Sequence, residues 1–233
     1  PTPPPAPLPA TFVVDTTITD VGTTGTNQFQ LPLLTTEGYY FVVDWGDGTE
    51  DAIASALDPL VLHTYDNAGQ YEITVNGTFP TMAFEGAGDA IKMTDWKVWG
   101  TVGLSAGMFD GCTNLTFSST EAPPVYGTDL TAAFRDCASI PSIAGLGDLD
   151  LTNVTTLTSM FEGCAVFNQD LDEWDLNNIT HAQFLFSGAT NFNGNIEGWD
   201  ISNMVDTSGM FITCENFNRN ISNWDFSNVI TCG

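Results

Sequence analysis

A fixed period of 25 residues governs the C-terminal part of this chain. Phe161, Phe186 and Phe211 are spaced 25 and 25, and so are Phe167, Phe192 and Phe217, and Trp174, Trp199 and Trp224. The two clearest copies read MFEGCAVFNQDLDEWDLNN and MFITCENFNRNISNWDFSN. Apolar positions recurring in register at such a period mark stacked units rather than a globular enzyme core. One copy cannot bury its own apolar side chains, so each must lie on its neighbours.

Reading the repeat as columns assigns most of the unusual residues. Aligned on Met-Phe, Cys112, Cys137, Cys164 and Cys214 fall at one position, and Ala189 fills the remaining copy. A column that accepts Cys or Ala wants a small buried apolar side chain, as free Cys provides in cores. Rungs ~5 Å apart also permit a disulfide such as Cys112–Cys137, as the second choice. Cys232 aligns with Leu157, Ala182 and Thr207, an interior-looking column. His181 aligns with Thr156, Asp206 and Thr231, a polar and exposed one.

Three further columns are candidates for function. Asp150, Asp175, Asp200 and Asp225 would repel one another at rung spacing unless compensated. Amides of the following turn could do this, and so could calcium between rungs. Asn168, Asn193 and Asn218 fit an asparagine ladder onto the neighbouring rung, and Asn153, Asn178, Asn203 and Asn228 fit a turn position. The Trp174, Trp199 and Trp224 stripe reads as core; left exposed, it would stack on sugar rings.

Charge limits the partners. The chain of 233 residues carries 29 acidic side chains against four basic ones, a net charge of −25. That balance gives no footprint for nucleic acid and opposes an anionic membrane surface. Solubility, life in high salt or divalent-cation binding remain. An apolar fraction of 42% with 16 Phe excludes general disorder, and no apolar run reaches the length of a membrane span. The opening PTPPPAPLPA reads as an extended Pro-rich linker over residues 1–10. The period places the next Met-Phe pair at 235 and 236, so the array is expected to continue past Gly233.

Residues 11–79 read as all-β. FVVDWGDGTED runs a strand into a double Asp-Gly turn. Beyond a turn at Asn67–Gly69, Tyr71, Ile73 and Val75 alternate with Glu72 and Thr74, as on a half-buried strand. Asp44, Asp47, Glu50 and Asp51 cluster at the Gly-Asp-Gly turn, which is either a turn device or a calcium loop. Residues 80–103 form a junction whose apolar stretches fit capping rungs, and the repeat runs over 104–233. Phe134 to Phe161 is 27 rather than 25, with the two extra residues expected in the Pro141–Gly147 loop.

Two resemblances follow. Asp44-Trp45-Gly46-Asp47-Gly48-Thr49, then His63-Thr64-Tyr65, then Gly69-Gln70-Tyr71-Glu72-Ile73 resemble the polycystic-kidney-disease (PKD) type domain. The unit LxxMFxGCxxFNxxIxxWDxSNV, entered through Gly77-Thr78-Phe79-Pro80 and Trp99-Gly100-Thr101, resembles the BspA-like leucine-rich-repeat surface proteins. Together they imply a mainly β chain: an immunoglobulin-like sandwich, then a right-handed solenoid of short strands and short helical turns. The Met-Phe-x-x-Cys segment is expected on the helical or looped side, and Phe-Asn-x-x-Ile-x-x-Trp is expected to supply the strand.

The expected function is non-catalytic adhesion or recognition of a cell, protein or glycan by an extracellular or virion-surface protein. The alternative is a structural or decorating subunit of a virion, filament or surface layer, with self-assembly. No nucleic-acid partner and no membrane insertion are expected. No catalytic constellation emerges: His63 and His181 lie in different modules, and no nucleophile-elbow, Walker or zincin pattern occurs. N-x-[ST] sequons at Asn76, Asn114, Asn153, Asn178 and Asn220 matter only in a glycosylating host.

Overall fold

The computed structural model describes residues 8–232; most of the Pro-rich linker, expected over 1–10, therefore lies outside the described residues. The chain is mainly β with almost no helix. Its strands are β1 (Ala10–Asp15), β2 (Gln28–Gln30), β3 (Tyr40–Asp44), β4 (Glu50–Ile53), β5 (Leu62–Thr64), β6 (Gln70–Thr78), β7 (Met93–Val98) and β8 (Thr116–Phe117). Six of them form one mixed sheet in the order β4-β3-β6-β1-β7-β8, and β2 pairs with β5 in a second.

Alternation sets the inner face of the large sheet. Phe41 and Val43 on β3, Ile73 and Val75 on β6, and Phe12 and Val14 on β1 are buried, while Tyr40, Val42 and Asp44 face out. Trp45, at the end of β3, is fully buried, and its ring lies parallel to His63 at 4.6 Å. Tyr65 on the following segment closes the group, its hydroxyl donating to the Trp45 carbonyl.

The junction contributes a strand to both neighbours. β7 runs antiparallel to β1, with Phe12 opposite Trp96, and parallel to β8, with Trp96 opposite Phe117. Trp96, Trp99 and Phe109 pack as one aromatic group, with ring centroids 5.1 to 6.0 Å apart. A single hydrophobic core consequently runs from Ala10 to Trp224 without interruption.

Beyond the junction, each repeat is one turn of chain laid on the last. Backbone amides at alternate positions donate to the next turn: Leu157 to His181, Ser159 to Gln183, Phe161 to Leu185 and Gly163 to Ser187. The amides between them close tight local turns, with Met160 bonding to Leu157, Glu162 to Ser159 and Cys164 to Phe161. This arrangement requires left-handed backbone twice per turn. Gly107, Ala132, Ser159, Phe184 and Gly209 occupy one such column, and Gly111, Asp136, Gly163, Gly188 and Thr213 the other. A right-handed helix cannot continue through a left-handed residue every fourth position. Of the helical or looped side expected for the Met-Phe segment, the looped form is found, as a run of tight turns, and among the described residues helix is confined to single 3-10 turns at Pro59–Val61, Ala90–Lys92 and Leu146–Asp148.

The expected strand is displaced as well. Isolated parallel bridges link Asp129, Thr156, His181, Asp206 and Thr231 in succession. They lie just ahead of the Met-Phe segment and not in the Phe-Asn-x-x-Ile-x-x-Trp segment. In the latter, turn-to-turn bonding passes largely through Asn side chains, so no continuous backbone ladder forms.

Thr213 is the most strained residue of these columns, a β-branched side chain at φ 53°. The equivalent residues Gly111, Gly163 and Gly188 adopt this conformation without a Cβ. Thr213→Gly is expected to raise stability by about 1 kcal/mol, read as a higher urea midpoint with an unchanged slope.

Candidate functional site

The repeated side chains are used in stacking. Phe109, Phe134, Phe161, Phe186 and Phe211 form a column of near-parallel rings with centroids 5.5 to 5.8 Å apart. Cys112, Cys137, Cys164 and Ala189 are fully buried and Cys214 nearly so, and all five cysteines are free thiols. Cys137 donates from Sγ to the Phe109 carbonyl at 3.0 Å, and Cys164 does the same to Phe134. Burial pushes the thiols of Cys112, Cys137 and Cys164 up, and that of Cys214 to about 11, so these groups stay protonated and unreactive. Cys232, expected inside, is exposed, because in the described residues no further turn lies over it.

The tryptophan stripe offers no open faces to a sugar. Trp174, Trp199 and Trp224 are 4%, 3% and 7% exposed. Each indole donates from Nε1 to the preceding turn, at Leu146, Leu171 and Ile196. By contrast, the buried indole nitrogens of Trp96 and Trp99 find no acceptor among the described residues. Trp174→Phe is accordingly expected to cost about 1 kcal/mol more than Trp96→Phe, since only the former loses a hydrogen bond, while the Leu146 carbonyl keeps the amide of Leu149. Paired denaturation curves read the difference.

The Asp column serves the local turn. Asp150, Asp175, Asp200 and Asp225 are exposed, and each accepts the amide of the residue two positions on at 2.9 to 3.0 Å. Hydrogen bonds from Thr152, Ser202 and Ser227 hold the carboxyls of Asp150, Asp200 and Asp225 below their ordinary range. In the Gly-Asp-Gly turn, Asp44 accepts the Gly46 amide and Asp47 accepts the Thr49 amide and hydroxyl. The other oxygen of Asp47 lies 2.9 Å from Nε2 of His63. Among the described residues no three His, Cys, Asp or Glu side chains gather as a metal site would draw on, and the carboxylates at both candidate calcium positions accept bonds from their own turns. The melting temperature is expected to be the same in chelator and in millimolar calcium; a calcium-dependent rise would restore a cation site.

Both asparagine columns tie turns together. The side-chain oxygens of Asn168 and Asn193 accept the amides of Asn193 and Asn218, each at 2.9 Å. The amide nitrogens of Asn178, Asn203 and Asn228 donate to Thr152, Asn177 and Ser202. Along the bridged column a polar stripe runs from Thr156 to Thr158, to Gln183, to Asp206. The Ser208 hydroxyl, with Thr231 and the Ser208 amide, holds the Asp206 carboxyl well below the usual carboxylate range. His181 is exposed beside this stripe.

Residues 128–233 match the model of a family described as Mycoplasma protein of unknown function, DUF285. The matched stretch begins in the stacked turns and leaves the N-terminal sheet outside it. No curated protein and no solved structure matches the chain.

Two charged groups were not visible as contacts in the sequence. Lys92 is fully buried, with Nζ 3.1 Å from Asp89 and within 2.7 to 3.3 Å of the Thr24, Gly25 and Gln28 carbonyls and the Thr24 hydroxyl. Arg135 forks onto buried Asp110, the residue at the same position one turn earlier. Burial and the Asp110 charge push the neighbouring Asp136 carboxyl up, against a lowering by Arg135. The only sequence signal for either pair is that four cations stand among 29 acids.

A cleft of about 360 Å³ is lined by Thr207, Met210, Phe211, Ile221 and Trp224 among others. These residues occupy the positions that earlier turns bury beneath the next turn. That cleft lies over the last turn of the described residues.

Proposed function

We propose that this chain is a recognition module of a surface protein: a PKD-like immunoglobulin-type sandwich carrying a BspA-like, leucine-rich-repeat-type right-handed solenoid, which adheres to a protein or glycan without catalysing a reaction. The observation that carries the reading is where the repeated side chains go. The Phe, Trp and Cys columns are engaged in packing, the Asn columns in bonds between turns and the Asp column in bonds within its own turn. Residues outside those columns are then free to vary on the surface without cost to the stack, as repeat scaffolds used for binding require. The family match over 128–233 and the BspA-like repeat pattern point the same way. An extracellular or surface location belongs to this proposal, and so does the absence of any nucleic-acid partner, which rests on the charge of −25.

The test is retention of cells, matrix proteins and arrayed glycans by the immobilised chain, against a chain truncated after residue 127. Saturable binding that needs residues 128–233 supports recognition. Ordered self-association burying well over ~1,000 Å² per interface, with nothing retained, would replace it with a structural subunit of a virion, filament or surface layer.

A further inference from the structure

A second feature lies where the junction meets the repeats. The Gly103 amide donates to the Pro80 carbonyl at 2.8 Å, and the Leu104 amide to that of Pro124, also at 2.8 Å. Leu104 and Val125 form a parallel bridge. Three adjacent segments are thereby fixed side by side, and the next residue, Tyr126, lays its ring against the backbone of Gly103. A Cβ on Gly103 would come within 2.5 Å of that ring. Tyr126 nevertheless stays 69% exposed. Tyr126 is thus an aromatic plate seated on a rigid backbone, one side down and the other side open.

Two clefts, of about 240 and 320 Å³, share Pro80 and Tyr126. Their polar lining is hydroxyl: Thr78 and Thr101 in one, and Thr81 and Ser105 in the other. The latter two bond to each other at 2.6 Å. Glu37 is the single charged residue among those lining the two clefts.

Resting on the recognition reading above, we infer that this groove binds a neutral oligosaccharide, with one sugar ring stacked on Tyr126. An aromatic face takes the C–H side of a pyranose, while hydroxyls and one carboxylate take its O–H groups. The two clefts together fall within the roughly 300–1,000 Å³ of ordinary ligand pockets. Charge decides which sugar. At −25, with Lys92 buried, Lys97 on Glu72, Arg135 on Asp110 and Arg219 bonded to the Asn193 carbonyl, the protein repels sulfated, sialylated or uronic saccharides. The groove itself, with one carboxylate, has no special claim on a basic peptide.

The experiment titrates the full chain with cellotetraose, chitotetraose, mannotetraose and maltotetraose, following tyrosine-ring resonances by NMR and affinity by calorimetry. Polygalacturonate and a lysine-rich peptide serve as charged comparisons. At least one neutral tetrasaccharide is expected to shift the Tyr126 ring saturably and leave Tyr71, in a separate cleft, unmoved. Tyr126→Ala is expected to weaken that affinity at least tenfold with the melting curve unchanged. Gly103→Ala, which displaces the ring, is expected to do the same. The inference is overturned if none of the four saccharides moves Tyr126, if Tyr126→Ala binds as tightly as the parent, or if only the lysine-rich peptide occupies the groove. Failure of all four saccharides to move Tyr126, with cell or matrix retention by the parent chain intact, would remove the groove and leave the recognition reading standing. Loss of all retention by the parent chain would remove both.

Discussion

Lys92→Met is expected to lower stability by about 3–5 kcal/mol, a large share of the roughly 5–15 kcal/mol available to a domain. The ammonium is wholly buried and bonds to three backbone carbonyls, a hydroxyl and the Asp89 carboxylate. Asp89 in turn accepts the amides of Thr24 and Gln30 and the hydroxyl of Thr24. Removing the cation leaves the buried Asp89 carboxylate without its counter-charge and takes one donor from each of the Thr24, Gly25 and Gln28 carbonyls, loosening the segment 24–30 that the pair fastens ahead of β7. Asp89→Asn added to Lys92→Met should recover part of the loss, because a neutral amide is less costly to bury than an unpaired charge. Lys97→Met is the comparison: its partner Glu72 is 54% exposed, and the effect should be far smaller because solvent screens the pair. Equal losses for the Lys92 and Lys97 variants in urea titrations would refute this account.

Phe161→Ala should cost about 3–5 kcal/mol and also change how the molecule unfolds. Its ring is sandwiched between Phe134 and Phe186 and lies 4.3 Å from Phe167. No neighbour can collapse into the gap without leaving its own column. Stacked turns contact only their neighbours, so cooperativity passes through each interface in series. A cavity in the middle of the series is expected to split one transition into two, with near-ultraviolet circular dichroism and hydrogen exchange at β1 and β6 no longer coincident. Phe211→Ala, near the end of the stack where the residue is only partly buried, should lower stability less and keep a single transition. A single coincident transition for Phe161→Ala would count against serial coupling.

The stacking was legible because the sequence states it 25 residues at a time. Columns that hold Cys or Ala, Asn throughout, or Trp throughout carry their own burial and bonding requirements. The Pro141–Gly147 loop was placed for the same reason, and Gln169 is seen to clamp it by bonding both the amide and the carbonyl of Ile143. The local backbone was less legible. Nothing in Ser159, Phe184 or Thr213 announces a left-handed conformation, since their equivalents in other turns include Gly and the constraint is set by the hydrogen bonds of the next turn. The shift of the bridges to the Thr156 and His181 column has the same origin. Contacts made once, as by Lys92 and Asp89, Arg135 and Asp110, or Tyr126 and Gly103, have no periodicity to reveal them.

The shared strand β7 has a mechanical meaning. It is paired along one edge to β1 and along the other to β8, with the Trp96 and Trp99 rings wedged beneath it. A pull on the far end of the repeats cannot be relieved at a swivel between two bodies. It arrives as shear on rows of backbone hydrogen bonds, which must break together rather than one at a time. Such a junction transmits tension stiffly, and the orientation of the repeats stays fixed to that of the sheet.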